Sequence, residues 1–453
     1  FIRRCLFYDY LEIQPVGNNE FLLRQGEKKG LPVPPRYTDT DDLKNINLLI
    51  YEASILTDIP LCATCDVHFL RPEHSVMRSI LQYDAGYSDA VRQPPLYFRT
   101  TDEMLMEFEY FGNEKAEKIV IENPAKIADM ISDDIRPFPE GSFPPALESA
   151  EDEVTDETWK AAGRMYGRDA KLPQVVQNRI KKELKSIIGN GFAIMYYIAL
   201  KLVQRSNSDG YIVGSRGSVG SSFVARLCGI TEVNPLQAHY LCDRCKYSEF
   251  DDSGAYGSGY DLPDRKCPDC GTPLTKDGQD IPFETFLGFE GEKQPDIDLN
   301  FSGEYQSTAH RFIEEMFGST HTFRAGTITG FAEMNTAMMV KKYIEGNSIE
   351  MTGAEASRIA EGLQGVKRTT SQHPGGIVVV PKDREIDDFT PVQCPADKTD
   401  SGITTTHFDF NSLHDTILKL DILGHDDPTM LKMLSDMTGV SVDDIDITDQ
   451  KIM

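Results

Sequence analysis

Pro295-Asp-Ile-Asp-Leu-Asn-Phe301 is the stretch of this sequence that most constrains the fold. Polar and apolar residues alternate along it, which is typical of a β-strand with one buried face. In such a strand Asp296 and Asp298 lie on one face, while Ile297 and Leu299 point into a core. Two neighbouring carboxylates repel each other, so a divalent cation is needed to keep both charged. The pattern therefore predicts a metal-binding strand, with a solvated strand edge as the alternative.

A third acidic residue fits the same chemistry. Asp421 lies alone in the apolar run Lys419-Leu-Asp-Ile-Leu423, which has the composition of a buried strand. An isolated carboxylate in such a strand is costly unless it is paired or bound to a metal. We therefore predict that Asp296, Asp298 and Asp421 form one divalent metal site.

A loop rich in glycine and serine, residues 214–222, lies between a predicted strand at 211–213 and a predicted helix at 223–227. Glycines let backbone N–H groups approach phosphate oxygens closely, and the helix N-terminus adds a favourable dipole. The loop is neither a Walker loop nor a dinucleotide fingerprint, and a flexible turn is the alternative. The candidate phosphate-binding residues are Gly214, Ser215, Arg216, Gly217, Ser218, Gly220 and Ser221. With the three aspartates, this loop predicts two-metal nucleotidyl transfer.

Two CxxC pairs indicate a second kind of metal site. Cys242, Cys245, Cys267 and Cys270 have the spacing with which four thiolates close a tetrahedral zinc site. Four cysteine ligands leave no open coordination position, so the expected zinc is structural rather than catalytic. Reduced cysteines in a loop are the alternative.

Glu12, Asp66 and His68 are weaker metal-site candidates near the N-terminus. All three lie at the ends of predicted strands in the first hundred residues. Taken without any family resemblance, ordinary surface polar residues are the interpretation that the sequence favours.

His373, Lys367 and Arg368 are candidate contacts of the active cleft. His373 begins a His-Pro-Gly-Gly turn before a predicted buried strand, and it either forms a plain turn or lies near the cleft. Lys367 and Arg368, just upstream, are candidate phosphate contacts, with solvated surface as the alternative.

Composition limits the function classes. The chain has 453 residues with 46 Lys+Arg and 72 Asp+Glu, a formal net charge of −26. This charge argues against a simple basic nucleic-acid binder but not against an enzyme that binds nucleic acid through metal ions and a local basic strip. No apolar run reaches the roughly 18 residues of a membrane helix, and nine cysteines without a secretory signal argue against a disulfide framework. We expect a cytoplasmic protein with no membrane partner and, since it begins Phe1-Ile-Arg-Arg, an internal piece of a longer one.

Hydrophobic periodicity predicts a multidomain fold of mixed α/β and α+β class. Apolar residues recur at helical spacing over several segments, and shorter apolar runs predict strands between them. The predicted helices cover 43–56, 173–188, 192–204 and 428–437, and the pattern is also helical between 306 and 363. The predicted strands cover 8–14, 60–64, 377–380, 404–410 and 417–422. The proline-rich, acidic segment 136–160 predicts a linker.

Five of these motifs together resemble the bacterial DNA polymerase III α family, in its PolC-type branch. They are the loop 214–222, Pro282-Phe-Glu-Thr-Phe-Leu-Gly288, 295–304, Gln372-His-Pro-Gly-Gly376 and Lys419-Leu-Asp-Ile-Leu-Gly-His-Asp-Asp-Pro428. They occur in the family's order, and the four-cysteine insertion between the loop and the first aspartates fits the PolC branch.

The resemblance implies a domain plan. Residues 1–135 look like the C-terminal part of a PHP domain, followed by the linker at 136–160. Residues 161–325 and 371–424 look like a polymerase-β-type nucleotidyltransferase palm with a zinc module at about 240–272. Residues 326–370 look like an inserted helical thumb, and residues 425–453 look like the start of the fingers.

The resemblance also implies the activity: template-directed DNA synthesis from dNTPs on primer–template DNA in bacterial chromosome replication. Asp296, Asp298 and Asp421 match the catalytic triad that holds two Mg²⁺, and Glu12, Asp66 and His68 match PHP ligands for Mn²⁺ or Zn²⁺. The sliding clamp and other replisome subunits are expected partners through regions outside this sequence, and we expect the piece alone to be inactive. A non-catalytic zinc-containing scaffold and a PHP-type metal phosphoesterase are the alternatives.

Overall fold

The computed structural model describes residues 1–24, 26–28, 31–136, 139–288, 295–397, 399–413, 416–442 and 445. It is a mixed structure with several sheets, which confirms the multidomain α and β class. The chain divides into a first unit, Phe1–Arg136 with Thr329–Arg368, and a second unit, Pro137–Ile328 with Thr369–Met453. Parts of the predicted linker at 137–138 and of the predicted fingers beyond 442 lie outside the described residues.

The α-helices are numbered in chain order. They are α1 (Ile2–Cys5), α2 (Thr40–Thr57), α3 (Ser75–Asp84), α4 (Thr101–Glu107), α5 (Asn113–Glu117), α6 (Asn123–Asp129), α7 (Ala150–Tyr166), α8 (Gln174–Gly189), α9 (Ala193–Ser208), α10 (Phe223–Leu227), α11 (Glu284–Leu287), α12 (Gln306–Phe317), α13 (Glu333–Asn347), α14 (Gly353–Leu363) and α15 (Asp426–Thr438). No single described helix is long and apolar enough to span a membrane; α8 and α9 meet that test only as a pair bent by 111°.

The β-strands are numbered in the same way. They are β1 (Leu11–Ile13), β2 (Gly26–Lys28), β3 (Leu31–Val33), β4 (Leu61–Ala63), β5 (Gly214–Arg216), β6 (His239–Leu241), β7 (Ser248–Phe250), β8 (Thr275–Asp277), β9 (Asp298–Ser302), β10 (Thr322–Gly330), β11 (Lys367–Val379), β12 (Val392–Gln393), β13 (Thr405–Asp409) and β14 (Leu418–His425).

The first unit has two hydrophobic clusters. In one, the parallel pair β1 and β4 packs with α4, and the buried residues include Ile13, Leu61 and Phe108. In the other, α13 and α14 pack on α3, burying Ile80 and Val340 among others. The packing of α13 and α14 explains why residues 329–368 group with the N-terminal residues in one unit.

The second unit is built on a seven-stranded sheet of order β12-β13-β10-β11-β14-β9-β5. At its centre β14 runs parallel to β9, and β11 and β5 are antiparallel to their neighbours β14 and β9. One face of the sheet is buried by α8, α9 and α12, whose apolar side chains pack against Leu299 of β9 and Ile422 of β14. Because side chains alternate along a strand, the residues next to these two point to the other face.

Several local expectations differ from the structure. The helical pattern predicted between 306 and 363 is interrupted by the strand β10, because residues 322–330 pair with β13 in the large sheet. The strand predicted at 211–213 lies instead at Gly214–Arg216, because these residues pair with β9. Asp296 precedes β9 rather than lying within it. The helix α7 begins inside the predicted linker, because Val154 and Ala162 of its apolar side are fully buried while its acidic residues face outward.

Candidate active site

The three predicted aspartates lie at the centre of the large sheet. Asp298 is the first residue of β9, and Asp421 lies in β14. These strands are parallel, with Ile422 opposite Leu299, so Asp421 and Asp298 are neighbours on the face opposite the helices. Asp296 lies two residues before β9. The sheet register therefore brings together residues that are more than a hundred positions apart in the sequence.

The electrostatics of these carboxylates favour a bound cation. Burial raises the pKa of Asp298, and the nearby charge of Asp296 raises it further, while Arg216 opposes the shift. Burial also raises the pKa of Asp421; His373 opposes that shift and the charge of Asp298 adds to it. The Oδ1 atom of Asp421 is buried and has no hydrogen-bond partner. A buried carboxylate oxygen without a partner is costly in the protein alone and is a suitable ligand for a hard divalent ion.

Arg216 contacts a carboxylate, although the sequence predicts a phosphate contact. Its Nε donates to Oδ2 of Asp298 at 3.2 Å, because β5 places Arg216 directly opposite Asp298 in the sheet. The guanidinium group is half exposed. A divalent ion at Asp298 would compete with this bond, and the released guanidinium would then be available to a phosphate.

The His-Pro-Gly-Gly segment packs against Asp421. Gly376 pairs with Asp421 across β11 and β14. A Cβ atom added at Gly375 would lie 2.4 Å from Oδ1 of Asp421, so the backbone approaches the carboxylate closely there. The sequence analysis singled out His373 but missed Gly375, although the paired glycines were the available signal.

His373 lies within β11, because the strand predicted at 377–380 already begins at Lys367 and includes the predicted His-Pro-Gly-Gly turn. Its side chain is held by the backbone of the following glycines and by an aromatic ring. Its Nδ1 accepts a hydrogen bond from the N–H of Gly376 at 2.8 Å, and its ring stacks on Phe410 with centroids 4.4 Å apart. Lys419, which the sequence analysis did not propose as a site residue, lies over the same Phe410 ring at 4.2 Å. Phe410 therefore contacts both the imidazole of His373 in β11 and the ammonium group of Lys419 in β14.

The glycine- and serine-rich loop is a strand followed by a tight turn. Gly214–Arg216 form β5, and residues 217–221 form a 3₁₀ turn that begins at Gly217 with φ of 76°. A positive φ of this size strains any residue with a side chain. Ser215 and Ser221 use their hydroxyls within the protein, on Thr231 at 2.8 Å and on the carbonyl of Ser218 at 2.7 Å. These two hydroxyls therefore have partners within the protein.

The N-terminus of α10 does not offer its first N–H groups to a ligand, contrary to expectation. The N–H groups of Phe223 and Val224 donate to the carboxylate of Glu183 at 3.0 and 2.9 Å, and the N–H of Ala225 donates to Ser222 Oγ at 3.2 Å. Burial raises the pKa of Glu183, and the guanidinium of Arg179 opposes that shift. A protein carboxylate therefore accepts from the first N–H groups of α10, and the predicted contribution of this helix N-terminus to phosphate binding is replaced by Glu183.

The four predicted zinc ligands are assembled. Cys242 and Cys270 place their sulfur atoms 3.5 Å apart, and Cys245 and Cys267 place theirs 3.4 Å apart. All four ligand atoms lie within 4.8 Å of one another, a separation that fits four thiolates around one zinc ion. Among the described residues this is the one group of three or more metal-ligating side chains that is so close, and the three aspartates are more widely spaced.

The weaker candidates are more widely spaced than the four cysteines. Glu12 accepts a hydrogen bond from the Thr64 hydroxyl at 2.5 Å, and His68 contacts the backbone carbonyl of Asp66 at 2.9 Å. Glu12, Asp66 and His68 do not bring three ligand atoms within 4.8 Å of one another.

Lys367 and Arg368 are exposed residues at the start of β11 and belong to the first unit. The guanidinium group of Arg368 lies over the ring of Phe331 at 5.5 Å. This stacking is a contact within the first unit, and it gives Arg368 a role in packing.

Comparisons with known proteins identify the family of the chain. The family model described as "Bacterial DNA polymerase III alpha NTPase domain" matches residues 152–351 and 336–424, which include the loop, the four cysteines and the three aspartates. A protein of Caldanaerobacter subterraneus subsp. tengcongensis named "DNA polymerase III PolC-type" is 56% identical over 447 residues, covering 99% of this chain and 31% of that relative.

Two further relatives carry the same name. The protein of Clostridium perfringens is 53% identical over 447 residues, and that of Bacillus subtilis strain 168 is 50% identical over 450 residues. Each match covers 99% of this chain and 30% of the relative, so the chain spans less than a third of their length. The matches confirm the resemblance predicted from the motifs, and the chain therefore belongs to the bacterial DNA polymerase III α family, with PolC-type proteins among its relatives.

Proposed function

We propose that the second unit is the catalytic palm of a DNA polymerase that extends a primer 3′-hydroxyl with dNTPs during bacterial chromosome replication. The observation that carries the proposal is the placement of Asp298 and Asp421 side by side on parallel strands, with a buried, unbonded oxygen on Asp421. The family match and the PolC-type names of the relatives support the same activity.

Each aspartate has a defined role in this proposal. Asp296 and Asp298 would hold both Mg²⁺ ions, and Asp421 would hold the ion beside the attacking hydroxyl. When bound, these ions would supply charge stabilisation for the 3′-hydroxyl and the triphosphate. Gly375 leaves the space in which the Asp421 carboxylate lies, and Arg216 orients Asp298 until the metal binds. The turn at 217–221 holds the phosphates of the dNTP.

The remaining parts of the protein have supporting roles in the proposal. The first unit combines the C-terminal part of a PHP domain with the thumb helices α13 and α14, and α15 begins the fingers. The four-cysteine module holds structural zinc, while Glu12, Asp66 and His68 are a remnant site for Mn²⁺ or Zn²⁺. The sliding clamp and other replisome proteins bind segments beyond this sequence, and the enzyme works in the cytoplasm.

The chain by itself is expected not to polymerise, because it spans only 31% of its relatives and the fingers supply much of the nucleotide contact. Primer extension by the isolated chain at a rate comparable with that of the full-length enzyme would contradict this expectation. A phosphoesterase function of the first unit is not proposed, because no observation on Glu12, Asp66 and His68 favours it.

Substitution of Asp298 tests the proposed function. In the full-length polymerase that contains this chain, Asp298→Asn should lower the rate of primer extension by about 10³-fold or more, since metal ions supply several kcal/mol of charge stabilisation. Asp264→Asn is the matched control, because Asp264 is 95% exposed and pairs only with Lys276 in the zinc module. Binding of primer–template DNA should be retained in both variants. An Asp298→Asn enzyme with wild-type rates would refute the proposal.

A further inference from the structure

Glu183 is a buried carboxylate that the proposed chemistry does not use. It lies on α8 with no exposed surface, within the main hydrophobic core of the second unit. It accepts hydrogen bonds from the N–H groups of Phe223 and Val224 and from the hydroxyl of Ser222 at 2.9 Å. Every one of these donors lies at the point where the 3₁₀ turn of residues 217–221 passes into α10.

Arg179 lies one helical turn before Glu183 and connects three segments. Its Nε donates to Glu183, and its Nη2 donates to the carbonyls of Ser221 at 2.7 Å and Ile281 at 2.9 Å. Ser221 is the last residue of the turn, and Ile281 lies where the chain returns from the zinc module. The guanidinium group therefore fixes the end of the turn from its carbonyl side, while Glu183 fixes the start of α10 from its N–H side.

This arrangement is better suited to fixing geometry than to adding stability. A buried ion pair contributes little net stability, because the desolvation of its two charges offsets their attraction, and apolar side chains often pack as stably. Its hydrogen bonds, in contrast, define direction and distance for each backbone group they hold. Here all the backbone groups that the pair holds belong to the turn, to α10 or to the segment that returns from the zinc module.

We propose that Arg179 and Glu183 are positioning residues that set the 217–221 turn for the phosphates of the incoming nucleotide and of the pyrophosphate product. The inference rests on the proposed polymerase function and identifies the residues on which the phosphate-binding part of that site depends. Because Glu183 already occupies the N–H groups of α10, the pair also directs phosphate binding to the turn itself.

Kinetics of full-length Glu183→Gln test this inference. The glutamine amide has one oxygen that accepts hydrogen bonds and one NH₂ group that cannot accept them. The NH₂ group would face a donor that Glu183 now accepts from, so the end of the turn must shift, while Asp298 and Asp421 stay in the sheet. We expect the KM for dNTP and the inhibition constant of pyrophosphate to rise together by about tenfold, which converts to about 1.4 kcal/mol. The kcat and the affinity for primer–template DNA should change less than about twofold, because neither depends on ground-state contacts with the turn.

Two further variants keep the test decisive. Arg179→Lys keeps a positive charge beside Glu183, but its single nitrogen cannot replace the Nε and Nη2 donors that reach Glu183, Ser221 and Ile281. This variant should also raise the KM for dNTP and the inhibition constant of pyrophosphate. Glu153→Gln is the control, because it removes an ion pair with Lys201 that joins α7 and α9 rather than the turn. This variant should leave the KM for dNTP and the inhibition constant of pyrophosphate unchanged. A KM does not depend on the fraction of folded enzyme, so partial unfolding alone lowers the measured rate without reproducing the expected pattern.

The outcomes separate this inference from the proposed function. Unchanged KM and pyrophosphate inhibition in Glu183→Gln and Arg179→Lys, in an enzyme that Asp298→Asn inactivates, would overturn the positioning role and leave the polymerase assignment intact. A wild-type full-length enzyme without primer extension would instead overturn the proposed function on which the inference rests.

Discussion

Gly375 offers a sharp test of the metal-site geometry, because it lies directly against a proposed metal ligand. A methyl group at this position would lie 2.4 Å from Oδ1 of Asp421 and 2.8 Å from the carbonyl oxygen of Ile422. Ordinary contacts of a Cβ atom begin at 3.4 Å, so the carboxylate in Gly375→Ala must move by 3.4 − 2.4 = 1.0 Å. The clash is purely steric, since the backbone at Gly375 does not have a positive φ.

The displacement converts into expected losses of stability and of rate. Inserting a methyl group into a packed site typically costs about 1–3 kcal/mol, so Gly375→Ala should remain folded with a lowered melting temperature. A misplacement of about 1 Å at a reacting centre can cost about 10²-fold in rate. We therefore expect single-turnover primer extension by the full-length variant to fall by about 10²-fold, with primer–template affinity retained.

The control for this experiment is Gly163→Ala. Gly163 lies in α7, and a Cβ atom there meets no other heavy atom within 4 Å. This variant should match the wild-type rate and should gain slightly in stability, because alanine favours the helix. Wild-type single-turnover rates in Gly375→Ala would refute the conclusion that the Asp421 carboxylate lies where the metal binds.

Two further predictions concern charge and metal. Burial raises the pKa of Asp421 in the folded state, so the metal-free chain should lose stability as the pH rises from the carboxyl's unfolded value through its folded value. Asp421→Asn should therefore melt at a higher temperature than the wild type near neutral pH, and this difference should vanish as the pH falls below about 4. Thermal melts in the presence of a chelator measure both effects. A melting temperature of Asp421→Asn below that of the wild type at neutral pH would contradict this prediction. Cys267→Ser should lower the zinc content from one ion per chain to none and destabilise the module that contains β6 and β8, as metal analysis and melting will show. Full zinc retention in that variant would exclude the four-cysteine site.

The strands that carry Asp298 and Asp421 were predictable from the sequence, but their adjacency was not. The alternation around Asp298 and the isolation of Asp421 in an apolar run each indicated a strand, because both patterns follow from the two-residue period of the backbone. Their adjacency depends on the pairing of Ile422 with Leu299, which joins distant parts of the chain. The pairing of these two strands cannot be predicted from local propensity or from the spacing of residues in the sequence.

The shifted strand at β5 shows how tertiary pairing overrides local preference. Tyr211–Val213 have strong strand propensity, yet the strand forms at Gly214–Arg216, because those residues pair with β9. Tyr211 instead stacks on Tyr305 with ring centroids 5.0 Å apart. The predicted strand began three residues too early, because periodicity reflects only the hydrophobicity of the residues. It carries no information about which backbone groups find hydrogen-bond partners in the sheet.

Glu183 was not predictable from the sequence at all. It follows two lysines in a helix whose apolar spacing is carried by Ile180 and Leu184, and a charged residue there is expected on the surface. Its burial depends on the N–H groups at the start of α10, some forty residues further along the chain. Only the folded arrangement supplies the donors that make a buried carboxylate tolerable at that position.

The central claim is that Asp296, Asp298 and Asp421 bind divalent metal together. The most direct measurement is an anomalous difference map from crystals of the full-length polymerase with primer–template DNA, an unreactive dNTP analogue and Mn²⁺. We expect two manganese peaks, both ligated by Asp296 and Asp298 and one of them also by Asp421. Manganese peaks bound by other residues, with these three carboxylates unligated, would contradict it.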